Sequence, residues 1–445
     1  MDSETHRWVT GDQFGVAFPA DPAALGSGGT RFLTDAFRAS GALGDRGAVA
    51  RITELREVAG GSTGRKVVLT VEYDKPEPGL HTELFVKFSR DFDHPTRDRG
   101  KTQMEPEVRF ASLSRAAGFP IAVPAALFGD YHRQTGTGIL ITERIQFGEN
   151  GIERQYHKCL DYEIPEPLEH YRALLTAIAR LAGTHRSGRL PARLTAHFPL
   201  DVQAATVGQR TPLSMAKLNR RLDQLAEFTQ THPGLVPENV GSPRVLAHLR
   251  EDAPRFVQHE QFIVRHLAAD TDYVALCHWN ANVDNAWFWR DGNDVLRCGL
   301  MDWGCVAQMN MGMAIWGAMS GAETDLWDGH LDELLQLFVA EVRRCGGPDL
   351  DPHRLCRHAL LYAAAMGVAW LLDVPALIRA CFGDAAPESR KDSRIRDDES
   401  VRAPLQMLSN LLSLWERHRL GDLLDEALAE AGPRLPEGDE GRCVG

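Results

Sequence analysis

The order of apolar and polar positions divides the chain into two textures. From Arg51, short β-branched runs separated by Gly and Pro turns ("ARITELREVAGG", "KVVLTVEYD" and "HTELFVKFS") predict an antiparallel meander. "EPEVRFASLSRAAG" follows with helical spacing, its Val108, Phe110, Ala111 and Leu113 apolar, and stops at Gly118. Two more strand-like pieces, "AVPAALFGDYH" and "GTGILITERI", complete the order β-β-β-α-β-β. After residue 150 the period becomes helical. "PLEHYRALLTAIARLAGTHRS" is amphipathic with a start signal at Pro167, and "TPLSMAKLNRRLDQLAEFTQ" and "PRFVQHEQFIVRHLA" predict further helices. A compact β-like block returns at 273–306, and helices dominate from about 311 to 431. Upstream, residues 1–50 are rich in Gly, Ala and Asp, with one helix-like stretch, "TRFLTDAFRASGAL". No internal repeat is visible.

Composition narrows the class. A chain of 445 residues with 43% hydrophobic and 25% charged residues can bury a large core as a globular protein. A net charge of −12 argues against nucleic acid or an anionic membrane as a partner, since both reward excess Lys and Arg. It leaves room for a nucleotide in a locally positive pocket. The start "MDSETHRWVTGDQF" lacks a basic segment followed by an apolar one, and no uncharged apolar run reaches a membrane span of roughly 18–20 residues. The eight cysteines are scattered, with no C-x-x-C pair and no zinc spacing, so they are expected to be buried, reduced thiols of a cytoplasmic protein.

The chemistry concentrates in "CHWNANVDNAWFW" (277–289) and "GLMDWG" (299–304). A strand enters a polar loop, a short apolar strand follows, "RDGND" makes a hairpin turn, and a second strand runs into Asp302. Asn285 and Asp302 can therefore converge on one point, and an amide oxygen with a carboxylate makes a hard ligand pair suited to Mg²⁺ holding nucleotide phosphates. The tryptophans of the region (279, 287, 289, 303) are expected in the core rather than in a ligand cage, and His330 and His358 have no metal spacing.

These segments resemble the aminoglycoside-phosphotransferase and choline-kinase-like branch of the protein-kinase-like superfamily, whose catalytic loop reads H-G-D-x-H-x-x-N and is followed by a hydrophobic-hydrophobic-Asp-Trp metal motif. His278 matches the family histidine, Asn285 the metal-binding asparagine and Asp302 the Mg²⁺-binding aspartate. "ITERI" (141–145) resembles the segment joining the lobes. The resemblance covers roughly residues 55–420. It implies an α+β, protein-kinase-like fold with a small antiparallel-sheet N-lobe (51–145) and a large, mostly helical C-lobe (146–432), preceded by an N-terminal extension (1–50) and followed by a disordered tail (433–445). It further implies ATP and Mg²⁺ as cofactors and a small-molecule hydroxyl as acceptor, aminoglycoside-, choline- or natural-product-like. Lys87 in "LFVKFS" would hold the α- and β-phosphates, oriented by Glu107, with Glu105 as the second choice of partner. "AGGSTGRK" between two strands would cover the phosphates with backbone N–H groups from Gly60, Gly61 and Gly64. It is not a Walker A loop, because the Lys-Ser/Thr ending and the following helix are absent.

The departures from the family pattern are as informative as the matches. Asn280 occupies the general-base position, and a neutral amide cannot take the proton of an acceptor hydroxyl. Losing such a base slows transfer by about 10²–10⁴-fold without abolishing it, because phosphoryl transfer relies mainly on positioning and charge neutralisation. Trp279 replaces the family glycine, Asn282 stands where a second histidine is usual, and 303–322 lacks the carboxylate that braces the loop in relatives. Asp284 is a new carboxylate four residues from the lost one, a candidate displaced base or an anchor for a cationic substrate. Three functions remain open on these residues: a phosphotransferase with an altered loop, a nucleotide- or metabolite-binding module without transfer, and a kinase-fold enzyme of different chemistry such as nucleotidyl transfer.

Overall fold

The structure, a computed structural model, describes residues 8–58, 64–75, 79–91, 104–206 and 213–431. Gly60 and Gly61, the expected tail at 433–445 and Cys443 lie outside the described residues.

The first lobe begins with a two-stranded ribbon, β1 (Trp8–Thr10) and β2 (Ala17–Pro19), and helix α1 (Pro22–Ala39). Asp21 caps α1 by accepting the Ala24 amide, and a proline stands in the helix's first turn. A five-stranded antiparallel sheet follows, from β3 (Val49–Val58), β4 (Lys66–Tyr73), β5 (Glu83–Phe88), β6 (Ala126–His132) and β7 (Thr137–Glu143), with α2 (Glu105–Ser114) between β5 and β6. The spatial order is β3-β4-β5-β7-β6, so the last hairpin returns with β7 inside. Strand alternation then decides which side chain meets what. Val67, Leu69, Leu84, Val86, Phe88, Ile139 and Ile141 turn to one face and pack on Phe18, Leu25, Phe32, Leu33 and Phe37. The stretch expected as an extension thus supplies a layer of the sheet lobe's core. Lys66, Val68, Phe85, Lys87, Leu140 and Thr142 turn to the other face.

The second lobe is mostly helical: α3 (Pro167–Arg186), α4 (Ala192–Thr195), α5 (Met215–Thr231), α6 (Pro243–Gln258) and α7 (Glu260–Ala269) precede its strands. The helix expected from "PRFVQHEQFIVRHLA" is two. Pro254 lies inside α6, which ends at Gln258, and α7 starts anew at Glu260. The β-like block forms two separate antiparallel pairs: β9 (Ala286–Arg290) with β10 (Leu296–Leu300), and β8 (Val274–His278) with β11 (Val306–Asn310). Helices α8 (Met311–Met319), α9 (Thr324–Arg344), α10 (Pro352–Trp370), α11 (Val374–Phe382), α12 (Ser393–Arg396), α13 (Glu399–His418) and α14 (Leu420–Glu430) complete the chain. This is the α+β organisation expected from the sequence, a small antiparallel-sheet lobe ahead of a larger helical one.

No single helix among the described residues is long and apolar enough to cross a membrane. Among the described cysteines none is in a disulfide; Cys159, Cys277, Cys298 and Cys345 are buried, Cys356 is half-buried, and Cys305 and Cys381 are exposed. The expectation of uniformly buried thiols is corrected at those two positions, both of which lie at the ends of short elements.

Candidate nucleotide site between the lobes

The free face of the sheet, helix α2 and the residues flanking the β9–β10 hairpin enclose a cavity of about 740 Å³. Each element contributes by its own period. On β5, Phe85 and Lys87 alternate away from the core, and on β4 their register partners Val68 and Lys66 do the same. On α2, Glu107, Phe110, Ala111 and Ser114 share one helical face and line the cavity. From the helical lobe come Asp284, Asn285, Met301, Asp302 and Trp303. Residues 143–147, around the expected interlobe segment, form the far wall.

Lys87 joins the lobes. Its Nζ lies 2.7 Å from Glu107 Oε2 and 2.7 Å from Asp302 Oδ1, and Lys87 and Glu107 are only 4% and 5% exposed. Burial pulls the Lys87 ammonium down, but the two carboxylates outweigh it and its pKa stands above the ordinary lysine value. Burial pushes Asp302 up and Lys87 pulls it further down, leaving it below the usual carboxylate range. Glu107, wholly enclosed, is raised by burial despite Lys87. Glu105, the second choice of partner, pairs with Arg133 and Arg109 instead. Asp302 has φ +59°, a left-handed conformation that costs a non-glycine residue on the order of 1 kcal/mol and recurs at functional sites. It is held by neighbours: Met301 N–H donates to Asn285 O at 2.9 Å, Trp303 Nε1 to Leu300 O at 3.0 Å, and Trp303 stacks on Phe110 at 3.7 Å.

Asn285 donates its Nδ2 to Asn280 O at 2.8 Å, which points its amide oxygen away from the loop. Among the described residues no hydrogen bond engages Asn285 Oδ1 or Asp302 Oδ2. Two hard, unengaged oxygens on one cavity wall fit a Mg²⁺ ion that takes its other ligands from phosphate and water. No cluster of three or more His, Cys, Asp or Glu able to hold a metal by themselves occurs among the described residues.

The other residues singled out from the sequence fall differently. His278 is fully buried and does not line the cavity. Its Nδ1 accepts the Asn280 amide at 3.3 Å and its Nε2 donates to Met301 O at 3.0 Å, so it ties the loop to the segment after β10 that bears Asp302. Burial pushes it down to about 4, and it is neutral at pH 7. With both nitrogens engaged it holds the backbone rather than meeting a substrate. Asn280 Oδ1 accepts from Lys158 Nζ at 3.2 Å and from Asn282 Nδ2 at 2.9 Å. Asp284 lines the cavity with Oδ1 buried and unpaired; burial raises its pKa, opposed chiefly by Lys158. Gly64 has φ +151°, and a Cβ there would lie 1.9 Å from Phe88 O, so only glycine fits where the chain enters β4. It does not line the cavity. The missing brace is replaced in part by Trp279 N–H donating to Cys305 O at 3.2 Å, and by α8 lying so close that a Cβ on Gly317 would be 1.8 Å from Trp279 O.

Two residues lining the site, Lys66 and Phe85, and one behind it, Lys158, were not singled out from the sequence. Phe85 was within reach, two positions before Lys87 on an alternating strand. Lys66 becomes visible only through its cross-strand register with Lys87. Lys158 lies in an aperiodic stretch and gave no signal.

No family model matches the chain, and no curated protein matches it. Among solved structures, choline kinase from Cryptosporidium parvum is similar at 11% identity and TM-score 0.43, covering 84% of this chain and 93% of that one. Plasmodium vivax ethanolamine kinase is similar at 11% identity and TM-score 0.42 (82% and 83% covered). A spectinomycin phosphotransferase in complex with ADP and spectinomycin is similar at 10% identity and TM-score 0.38 (85% and 94% covered). At these identities and TM-scores the likenesses carry no argument about what this chain does. The weight rests on Lys87, Glu107, Asn285 and Asp302.

Proposed function

We propose that the cleft binds a nucleoside triphosphate with Mg²⁺ and that the protein is a small-molecule phosphotransferase with an altered catalytic loop. One observation carries the reading. Lys87 meets Glu107 from the sheet lobe and Asp302 from the helical lobe, each at 2.7 Å, on the wall of a cavity of about 740 Å³. A buried cation fixed by two carboxylates, with Lys66 beside it lacking any carboxylate within 4 Å among the described residues, suits a polyphosphate. Val68 and Phe85 offer an apolar and an aromatic surface to a base, and residues 145–147 offer backbone groups, the Glu143 and Arg144 amides being spent on Ala125 O and Glu83 O. Asn285 and Asp302 are the residues that would hold Mg²⁺, which neutralises phosphate charge when bound. Lys87 then orients the phosphate chain while Glu107 keeps its ammonium in place.

The test is thermal. Mg·ATP at about 100 times its Kd stabilises the folded state by about 2.7 kcal/mol, a rise of roughly 3 °C at about 1 °C per kcal/mol for a chain of 445 residues. Asp302→Ala is expected to lose most of that rise. A wild-type protein whose melting point ignores millimolar Mg·ATP sinks the proposal. A second reading, nucleotide binding without transfer, is favoured by one observation: the base position holds an amide whose oxygen already accepts two hydrogen bonds. It predicts the same thermal shift with no ATP consumed against any acceptor.

A further inference from the structure

Lys158 and Asn280 together specify what kind of group can be phosphorylated. A lysine ammonium has donors and no acceptor, so the Asn280 atom 3.2 Å from Lys158 Nζ must be the amide oxygen. The same oxygen accepts from Asn282 Nδ2 at 2.9 Å. Both acceptor directions of Oδ1 are therefore taken, and the end of Asn280 left over is its NH₂, which has no hydrogen bond to protein among the described residues. At the base position the protein offers a donor where hydroxyl chemistry needs an acceptor.

Lys158 is held there. Cys159, next to it, adopts φ +60°, a left-handed conformation for a buried non-glycine residue, and Arg402 Nε donates to Lys158 O at 2.8 Å. Among the described residues no carboxylate lies within 4 Å of Lys158, and its one hydrogen-bond partner is the neutral Asn280. Two of its three N–H donors remain available. Neither Lys158 nor Asn280 lines the cavity itself; Asn280 is joined to it through its backbone oxygen, which accepts from the Nδ2 of the cavity-lining Asn285, so the pair stands behind the wall formed by Asp284 and Asn285.

Resting on the nucleotide reading above, we infer that the acceptor is a carboxylate, phosphorylated to an acyl phosphate, and that Lys158 and Asn280 bind its oxygens. In the step, a carboxylate oxygen attacks the γ-phosphorus, the bond from that phosphorus to the β–γ bridging oxygen breaks, and its electron pair leaves with ADP. Carboxylate and ATP become acyl phosphate and ADP with charge balanced and no proton released. A hydroxyl acceptor must lose a proton; a carboxylate has none to lose. The absence of a carboxylate at position 280 then follows from the substrate, because an aspartate there would repel the acceptor and neutralise Lys158. Asp284, the other acid on this wall, shares Lys158 as its main compensating charge.

The experiment incubates the full chain with Mg·ATP, hydroxylamine and a panel of simple carboxylates (acetate, benzoate, succinate, glutamate), in parallel with a panel of alcohols and amino alcohols. Hydroxylamine converts an acyl phosphate to a coloured ferric hydroxamate and leaves phosphate esters intact. ATP-dependent hydroxamate is the expected result. Asn280→Asp should lower kcat/KM for the carboxylate by about tenfold or more, whereas on a hydroxyl acceptor a restored base raises the rate by about 10²–10⁴-fold. Lys158→Met should raise KM about tenfold with Lys158→Arg recovering most of it. A hydroxylamine-resistant ester formed from an alcohol, with Asn280→Asp accelerating it, overturns the inference. If neither panel turns over, the Mg·ADP-loaded protein is titrated with acetate against acetamide at matched ionic strength. Preference for acetate that disappears in Lys158→Met supports the inference, and equal affinity overturns it. The inference can fail with Mg·ATP binding intact, whereas failure of the nucleotide reading appears as no thermal response to Mg·ATP at all.

Discussion

Replacing Lys87 by Met removes the cation and keeps most of the side chain's volume, which isolates the electrostatic role of the pair. Glu107, 5% exposed and already raised by burial, would then keep Asp302 as a repelling neighbour and only Lys66, a weaker influence than Lys87, as a cation. A buried carboxylate without its cation escapes by taking a proton, and the cost of that escape sets the magnitude. From an ordinary value of 4.5, holding Glu107 protonated at pH 7 costs about 2.5 pH units at about 1.4 kcal/mol each, or about 3.5 kcal/mol. That agrees with the roughly 3–5 kcal/mol typical of breaking one side of a buried pair. The sign follows from linkage: the folded variant binds a proton that the unfolded chain lacks above pH 4.5, so its deficit shrinks as pH falls, to under about 1 kcal/mol at pH 5. Urea denaturation of wild type and Lys87→Met at pH 5, 7 and 8 measures this. Glu107→Gln in the same chain should recover most of the loss, since a neutral amide demands no cation. A deficit below about 1 kcal/mol at pH 8, or one that does not change between pH 5 and 8, would refute the account of Lys87 as the buried partner of Glu107.

Two other expectations follow from the loop's packing. Gly317→Ala pushes a Cβ to 1.8 Å from Trp279 O, so α8 or the loop must move. A stability loss of about 2 kcal/mol or more in urea is expected, and a neutral substitution would contradict the close approach. His278, pushed down to about 4 by burial, should show no NMR titration between pH 8 and 5, and a midpoint near 6.5 would contradict its enclosure. Its folded value lies below the unfolded one, so it contributes about 3 kcal/mol present above pH 6.5 and lost as pH falls towards 4. Asp161, pushed up to about 7 by burial, acts in the opposite direction, which is why the ring's own titration is the measurement of choice.

Elements were legible where one period dominated. "LFVKF" reads as an alternating strand, and the same alternation sends Lys87 to the cavity and Leu84, Val86 and Phe88 to the core. The amphipathic repeat after Pro167 reads as α3, which spans Pro167–Arg186. Periodicity failed at Gln258–Glu260, where apolar spacing continues across a break made by the non-helical backbone of His259. It was also silent on residues 8–39 as part of the sheet lobe's core, because a helix's apolar face does not say which surface it will cover.

For the candidate site, the spacing of His278, Asn285 and Asp302 along the chain was enough to nominate a hairpin with two converging oxygens, since a tight turn between short strands leaves few other arrangements. The amino-acid order thereby determined most of the strands and helices, which follow from local periods and turn chemistry, whereas the roles expected of His278, Lys87 and Glu107 rested on the family resemblance. Only the tertiary structure decided that Lys87 meets Asp302 across 215 positions, that His278 is spent on the backbone, and that Lys158 turns the amide of Asn280 so that a donor is left over. Those outcomes depend on strand register and on how two lobes close around one volume, and no local stretch of sequence encodes either.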